Sequence, residues 1–317
     1  MALPKREEIE WSEKYRPRKV SEVILPEELK TIFQKFVDDK EIPRLLLVGP
    51  PGVGKTTIAL AMLDEIGADV MFVNGSKENG IDVLRGKIQD FASSVSFTGG
   101  RKYVLIDEAD YLNAQSIQPA LRSFMEQYST NCGFIMTANY SNRIIDPLKS
   151  RTAVIDFRFK KSDVVHLASS FLKRVLAILD NEDVSYTKEA IALTIKKYYP
   201  DWRKVLNALQ LYAAKAGTID NGIGASLESA SIKELVELMK TSNFTGVRSW
   251  VAENLDNDQE VMYREFYESA SKYFKTSYVP ELVLTIGKYQ YQAAFAIDAE
   301  INFAAFCVEV MVGAEWS

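Results

Sequence analysis

At 317 residues, with 47% hydrophobic and 26% charged residues, the chain has the composition of an ordinary globular protein of two or three domains. Its net charge of −5 argues weakly against nucleic acid, yet the charge is uneven: Met1 to Glu228 carries 31 Lys+Arg against 30 Asp+Glu, and Ser229 onward 7 against 13. The acidic excess lies in the C-terminal part, so any bound DNA is expected on the N-terminal part. Cys132 and Cys307 lie too far apart in sequence to suggest a disulfide framework, and with His166 they make too few ligands for a typical structural zinc site. His166, in an apolar helical stretch, reads as a packing residue. The charged N-terminus does not read as a signal peptide, and no apolar run is long enough for a bilayer. A cytoplasmic setting is expected.

In chain order, Glu10-Trp11-Ser12-Glu13-Lys14-Tyr15-Arg16-Pro17 opens with aromatics, charges and a proline that favours extended backbone. On composition it reads as a strap over the domain, although its aromatics could also pack a base. Pro26 to Asp39 has the spacing of an amphipathic helix, with Leu29, Ile32, Phe33 and Phe36 on one face. Arg44 to Val48 then reads as a buried strand and Thr57 to Leu63 as a helix, with Gly49-Pro50-Pro51-Gly52-Val53-Gly54-Lys55-Thr56 between them. That stretch fits the phosphate loop G-x-x-x-x-G-K-[ST] in its proper strand–helix context. Backbone N–H groups and the helix N-terminus would face an anion, Lys55 would reach the β/γ-phosphates, and Thr56 would ligate Mg²⁺.

Asp69 to Gly75 reads as a short strand and turn, and Ile81 to Ser94 as a helix with Arg85 and Lys87 among its polar positions. Tyr103-Val104-Leu105-Ile106 is a further apolar strand that runs into Asp107-Glu108. Paired carboxylates at such a strand end, following a phosphate loop, suit Mg²⁺ binding by Asp107 and activation of a water by Glu108. The helix expected over Ala114 to Tyr128 turns Leu121, Phe124 and Met125 inward and sets Gln118 and Arg122 four apart on another face. Those two either act together across one surface or are merely solvated. Gly133 to Asn139 is a strand delivering Asn139 to the end where ligands bind in open α/β sheets. Asn139 there could orient a water or cap the next turn. Val154 to Phe157 looks like the last strand.

From Ser162 the pattern is helical: Val164 to Leu179, Thr187 to Tyr198 and Trp202 to Lys215, the last capped by Asp201 after the break Tyr199-Pro200. A glycine-rich turn, Gly217 to Gly224, marks a boundary. The remainder (Ile232 to Met239, Val247 to Leu255, Glu260 to Phe274, Tyr278 to Ala314) reads as a small all-helical domain. Its last helix is apolar beyond one face, at Tyr291, Phe295, Ile297, Ile301, Phe303, Phe306 and Val310, which suggests a subunit interface.

Together these motifs resemble clamp loader ATPase subunits of the replication factor C type, within the AAA+ superfamily, and most closely the branch found in T4-like bacteriophages. Glu13-Lys14-Tyr15-Arg16-Pro17 is similar to the family's N-terminal box near the adenine, which turns Trp11, Tyr15 and Arg16 from strap residues into nucleotide contacts beside Pro51, Gly52, Val53, Gly54, Lys55, Thr56 and Thr57. Asp107-Glu108-Ala109-Asp110 resembles the Walker B box and Thr137-Ala138-Asn139 sensor 1. Ser150-Arg151-Thr152 resembles a Ser-Arg-Cys motif with threonine in place of cysteine, whose arginine reaches ATP on the neighbouring subunit. Pro200 to Lys204 resembles sensor 2, with Arg203 at the γ-phosphate. Gly80, Ile81, Arg85 and Lys87 fall where the family tracks the duplex backbone, and the face near Met71 to Gly100 is where it meets the clamp.

The resemblance implies an α/β fold: a RecA-like AAA+ ATPase domain with a parallel sheet over residues 1–158, a helical lid over 159–228, and a helical collar for oligomerisation over 229–317. It implies an ATP- and Mg²⁺-dependent enzyme that loads a DNA polymerase sliding clamp onto primer–template DNA, with Gln118 and Arg122 as relay residues. Its partners would be the clamp, a small subunit, DNA and further copies of itself, the phage members using four copies in a hetero-pentamer. If phage-encoded, it would act in the host cytoplasm. A branch-migration helicase is the nearest rival, disfavoured by the Ser-Arg-Thr and Glu-Lys-Tyr-Arg-Pro motifs. A P-loop small-molecule kinase fits Asp107-Glu108, Asn139 and the long helical C-terminus poorly.

Overall fold

The structure is a computed structural model that describes residues 9–77, 81–94, 96, 100–224, 232–254, 259–293, 295–296 and 298–317. The chain divides into two compact units, Met1–Leu227 and Glu228–Ser317.

The first unit is built on a parallel sheet. Among the described residues it has five strands: β1 (Leu45–Val48), β2 (Asp69–Asn74), β3 (Lys102–Asp107), β4 (Cys132–Ala138) and β5 (Ala153–Asp156), in the order β2-β3-β4-β1-β5. The three inner strands are apolar runs because both their faces are covered. Alternate residues serve opposite cores. Leu45, Leu47, Tyr103, Leu105 and Ile135 pack with Phe33, Ile58 and Met62, whereas Leu46, Val104, Ile106, Phe134 and Met136 pack with Ile88, Leu121 and Met125. The first core is covered by α2 (Glu27–Asp38) and α3 (Lys55–Glu65), the second by α4 (Ile81–Ser93) and α5 (Ile117–Gln127). At the edges the pattern loosens, and Val70 and Phe72 of β2 and Val154 of β5 are exposed. The chain runs from β1 to the far edge and returns strand by strand, so the ends of β1, β3 and β4 meet at one crevice.

In the first unit the opening segment and the start of α5 differ from expectation. The opening segment is not wholly extended: Trp11–Lys14 forms a helical turn, α1, and Trp11 is buried among residues of the following helices. Helix α5 begins at Ile117 rather than Ala114, because the Asn113 side chain accepts from the Gln115 and Ser116 N–H groups and holds 113–116 in a turn.

Beyond the short α6 (Asp146–Lys149) and β5 come α7 (Val164–Asn181), α8 (Lys188–Tyr198) and α9 (Trp202–Ala216), with β6 (Ser185–Tyr186) and β7 (Thr218–Ile219) paired beside them. Leu167, Phe171, Val175, Ile178, Ile191, Trp202, Val205 and Leu209 form their core, with Phe171 stacked on Trp202 at 4.3 Å. Asp201 caps α9, its carboxylate accepting from the Lys204 N–H. His166 is no packing residue. The buried face of α7 runs through Leu167, Phe171 and Val175, and His166, one step off that face, is exposed with Glu27 at 3.9 Å.

The second unit contains α10 (Ile232–Lys240), α11 (Phe244–Asn254), α12 (Gln259–Tyr273), α13 (Val279–Ala293) and α14 (Ala299–Gly313). Its core is aromatic, with Phe303 and Phe306 in ring contact with each other and each with both Tyr263 and Phe266. The single helix expected over Tyr278 to Ala314 is two, because Asp298 starts a new one by accepting from the Ile301 N–H. Phe303, Phe306 and Val310 are buried, whereas Tyr291, Phe295 and Ile301 are exposed, and Ile297 lies outside the described residues. No helix among the described residues is long and apolar enough to cross a membrane.

Candidate nucleotide-binding site

The loop after β1 is shaped by glycines in left-handed backbone: Gly52 at φ 73° and Gly54 at φ 98°, the latter at the N-cap of α3. A Cβ on Gly52 would lie 1.8 Å from Asp201 Oδ1, and the Trp202 N–H donates to the Gly52 carbonyl at 3.2 Å. The start of α9 is therefore seated directly on the loop. Lys55 is buried and donates to the carbonyls of Gly49 and Pro50, each at 2.7 Å, and to Asn139 Oδ1 at 2.9 Å. Burial pushes its ammonium down to about 8, against the opposing pull of Asp107 and Asp110.

At the ends of β3 and β4 the hydroxyls of Thr56 and Thr137 both donate to Asp107 Oδ1 at 2.6 Å. Thr137 in turn accepts from the Glu108 N–H at 3.1 Å. Glu108 sits at φ 56°, a left-handed conformation that non-glycine residues adopt at a cost of about 1–3 kcal/mol when the surroundings fix it. Two contacts do so here: the bond to Thr137, and Gly75, whose added Cβ would lie 2.4 Å from the Glu108 carbonyl oxygen. Asp110, buried, accepts from the Asn139 and Tyr140 N–H groups through Oδ2, which fixes the end of β4. Lys55, Thr56, Asp107, Glu108 and Asn139 thus line one cleft, along with Pro51, Gly52, Val53, Gly54, Thr57, Tyr15, Arg16 and Arg203. Thr56 and Asp107 offer a hydroxyl and a carboxylate, hard oxygen donors of the kind Mg²⁺ takes together with nucleotide phosphates.

The matches to known proteins cover the same ground. Residues 45–160 match the model of the ATPase family associated with various cellular activities (AAA), and residues 163–225 that of the sliding-clamp-loader large subunit, AAA+ ATPase lid domain. The sliding-clamp-loader large subunit of Enterobacteria phage T4 is 32% identical over 313 residues, 96% of each chain. That of Escherichia phage RB69 is 37% identical over 242 residues, 75% of each. The replication factor C small subunit of Archaeoglobus fulgidus is 34% identical, covering 93% of this chain and 95% of its own. The chain belongs to the clamp-loader branch of the AAA+ ATPases. In fold alone it is similar to the RuvB Holliday junction branch migration motor of Thermotoga maritima, at 18% identity and a TM-score of 0.51 over 71% of this chain and 78% of that one.

Several expected residues of this AAA+ ATPase lie away from the cleft or, like Tyr15 and Arg16 in its lining, are bonded to other side chains. Trp11 is outside its lining, in the core around α7 to α9. Its neighbour Tyr15 bonds Glu182 through its hydroxyl, and burial together with that bond raises the phenol's pKa. Arg16 pairs with Glu13. Arg151 follows α6 on the outer surface, its Nε donating to Glu126 Oε1 at 2.6 Å and its Nη1 to the Pro147 carbonyl at 3.0 Å. Gln118 and Arg122 do not share a surface. Gln118 is buried, donates to the carbonyls of Leu112 and Arg143, and accepts from the Ile145 N–H, each at 2.9 Å. Arg122 is exposed, with Glu126 at 3.8 Å. Ile81 and Arg85 lie on α4, Lys87 is exposed there, and Gly80 lies outside the described residues, as do the side chains of Ile81 and Arg85. Sequence reasoning missed Thr137 as a tie between Asp107 and Glu108, Asp110 as the anchor of Asn139, and Arg174, which lines the cleft and donates to the Tyr15 carbonyl at 2.8 Å.

Proposed function

We propose that this ATPase acts in a ring that loads a DNA polymerase sliding clamp onto primer–template DNA. The observation that carries the reading is a division of labour on one chain. Lys55, Thr56, Asp107, Glu108, Asn139 and Arg203 share a cleft, and Arg151 stands outside it. A guanidinium so placed serves ATP held by a neighbouring copy. The names of the T4, RB69 and Archaeoglobus relatives support the choice of clamp loading over other AAA+ work.

In this reading residues 1–158 form the ATPase domain, 159–228 the lid and 229–317 a collar through which copies associate. The exposed Tyr291, Phe295 and Ile301 supply apolar surface for that association. ATP entering the cleft takes over the Lys55 donors now held by loop carbonyls, and Arg203, on the helix seated against Gly52, reaches the γ-phosphate. Thr56 and Asp107 hold Mg²⁺, which neutralises charge on the phosphate oxygens when bound. Glu108 accepts the proton of the attacking water, and Asn139 helps to place that water. The neighbour's Arg151 completes the site, so assembly and hydrolysis are linked. Helix α4, with Arg85 and Lys87, lies along the DNA backbone. Gln118 and Arg122 pass the arrival of DNA to Glu108, hydrolysis follows, and the clamp closes. Four copies with one small subunit complete the ring.

The test is ATPase rate with the protein alone, with primer–template DNA, and with a candidate clamp and small subunit added. The expected outcome is joint stimulation that Arg151→Ala lowers by about 10³-fold, the low end of what an arginine supplied in trans contributes, while ATP binding persists. A rate indifferent to DNA and clamp, or to the loss of Arg151, would sink the reading.

A further inference from the structure

Arg151 is held in a way that leaves one end of its guanidinium available. Nε donates to Glu126 Oε1 at 2.6 Å, and Nη1 donates to the Pro147 carbonyl at 3.0 Å and to Ser150 Oγ at 3.3 Å. Nη2 has no partner among the described residues. Two anchors on one planar group fix its plane as well as its position. The carboxylate stands on the last turn of α5, whose Leu121, Phe124 and Met125 are packed against the sheet. The anchor is therefore tied to the body of the domain rather than to the short α6 segment that carries Arg151.

Stability does not account for this pair. Both side chains are partly exposed, 26% for Arg151 and 52% for Glu126, and such a bridge contributes about 0–1 kcal/mol. Orientation is what the geometry provides. We propose that Glu126 is the positioning residue for Arg151, holding the guanidinium with Nη2 turned outward for the phosphate of a neighbouring copy. This rests on the reading of Arg151 as an arginine supplied in trans. Bonding to Arg151 keeps the Glu126 carboxyl below the usual carboxylate range, with Arg122 and Arg44 adding to the effect, so the anchor stays ionised near neutral pH.

A carboxylate beside a guanidinium also offsets some of its charge, so removing it has two opposite consequences. Loss of the anchor frees a long side chain to swing, whereas loss of the negative charge strengthens its field. Orientation should dominate, because misplacement by an ångström can cost about 10²-fold in rate.

Glu126→Ala and Glu126→Gln separate the two effects, with Arg151→Ala alongside, each in the complete complex with clamp, small subunit, Mg·ATP and primer–template DNA. The glutamine keeps an oxygen that can accept from Nε without the charge. Glu126→Ala should lower stimulated kcat by about 10- to 100-fold with KM for ATP within about twofold, and Glu126→Gln should restore most of it. Melting temperature and complex assembly should match the parent in all three. A collapse in Arg151→Ala with Glu126→Ala unchanged would overturn the positioning role and leave the trans arginine standing. Loss of assembly or of ATP affinity in Glu126→Ala, or no rescue by glutamine, would also overturn it. An unchanged rate in Arg151→Ala would remove both readings together.

Discussion

The nucleotide cleft and the outer face that carries Arg151 are built by opposite rules. In the cleft each key group is held by several others: Lys55 by two carbonyls and an amide, Asp107 by two hydroxyls, and Glu108 by Thr137 and by Gly75 pressed against its carbonyl. Polar groups fixed in advance cost little reorganisation when charge develops. On the outer face Arg151 depends on one exposed carboxylate and local acceptors, and its Nη2 has no partner among the described residues. In the proposed function the contrast separates what one copy would do by itself, which is bind ATP, from what would need a neighbour.

The strongest test of that separation within the cleft is Glu108→Gln. The proposed base is lost while size and backbone are kept, so ATP binding should persist and hydrolysis should fall by about 10²–10⁴-fold, the usual contribution of a general base. A binding assay with labelled ATP beside a phosphate-release assay would check both halves. Loss of binding would mean that the cleft is not complete without its catalytic group.

Gln118 tests the connection between the two regions. It lies at the start of α5, and its amide joins Leu112, just after the Walker B segment, to Arg143 and Ile145, just before α6 and Arg151. Gln118→Ala would leave these buried backbone groups unpaired, at a cost of about 1–3 kcal/mol for each that water cannot reach. The expected result is a lower melting temperature together with a loss of DNA stimulation, while unstimulated ATPase is kept. DNA stimulation equal to the parent's in a destabilised variant would reduce Gln118 to a structural brace.

The sequence made the cleft legible and the connection hardly at all. Gly49 to Thr56 and Asp107-Glu108 could be read because phosphate and metal chemistry demands those residue types at strand ends, and apolar runs marked the strands. Thr137 carried no such signal, since a threonine within a strand is an ordinary β-former. Gln118 was placed on an outer face because helical spacing cannot reveal that the Asn113 turn delays the helix to Ile117, which makes Gln118 a first-turn residue facing a loop. His166 misled for a related reason. An apolar neighbourhood in sequence does not say which face of a helix a residue occupies, and Leu167 takes the buried place. The break between α13 and α14 was hidden because apolar residues continue on both sides of the Asp298 cap.

The smallest expected effect concerns the proton on Lys55. Burial brings its pKa to about 8 in the free cleft, and a polyphosphate beside the ammonium favours the charged form, so ATP should raise that value. Below pH 8 the lysine is charged before and after binding, and affinity should not vary with this group. Above pH 8 the free protein has lost the proton that the complex retains, so binding must take one up and affinity should fall as pH rises, at most tenfold per pH unit. Calorimetry in buffers of different ionisation enthalpy would read that uptake directly, with little at pH 7 and a growing fraction of a proton at pH 8.5 to 9. A flat affinity across this range would mean that the loop carbonyls and Asn139 already hold the ammonium charged. The cleft would then be fully poised before ATP arrives, and the contrast with the half-anchored Arg151 sharper still.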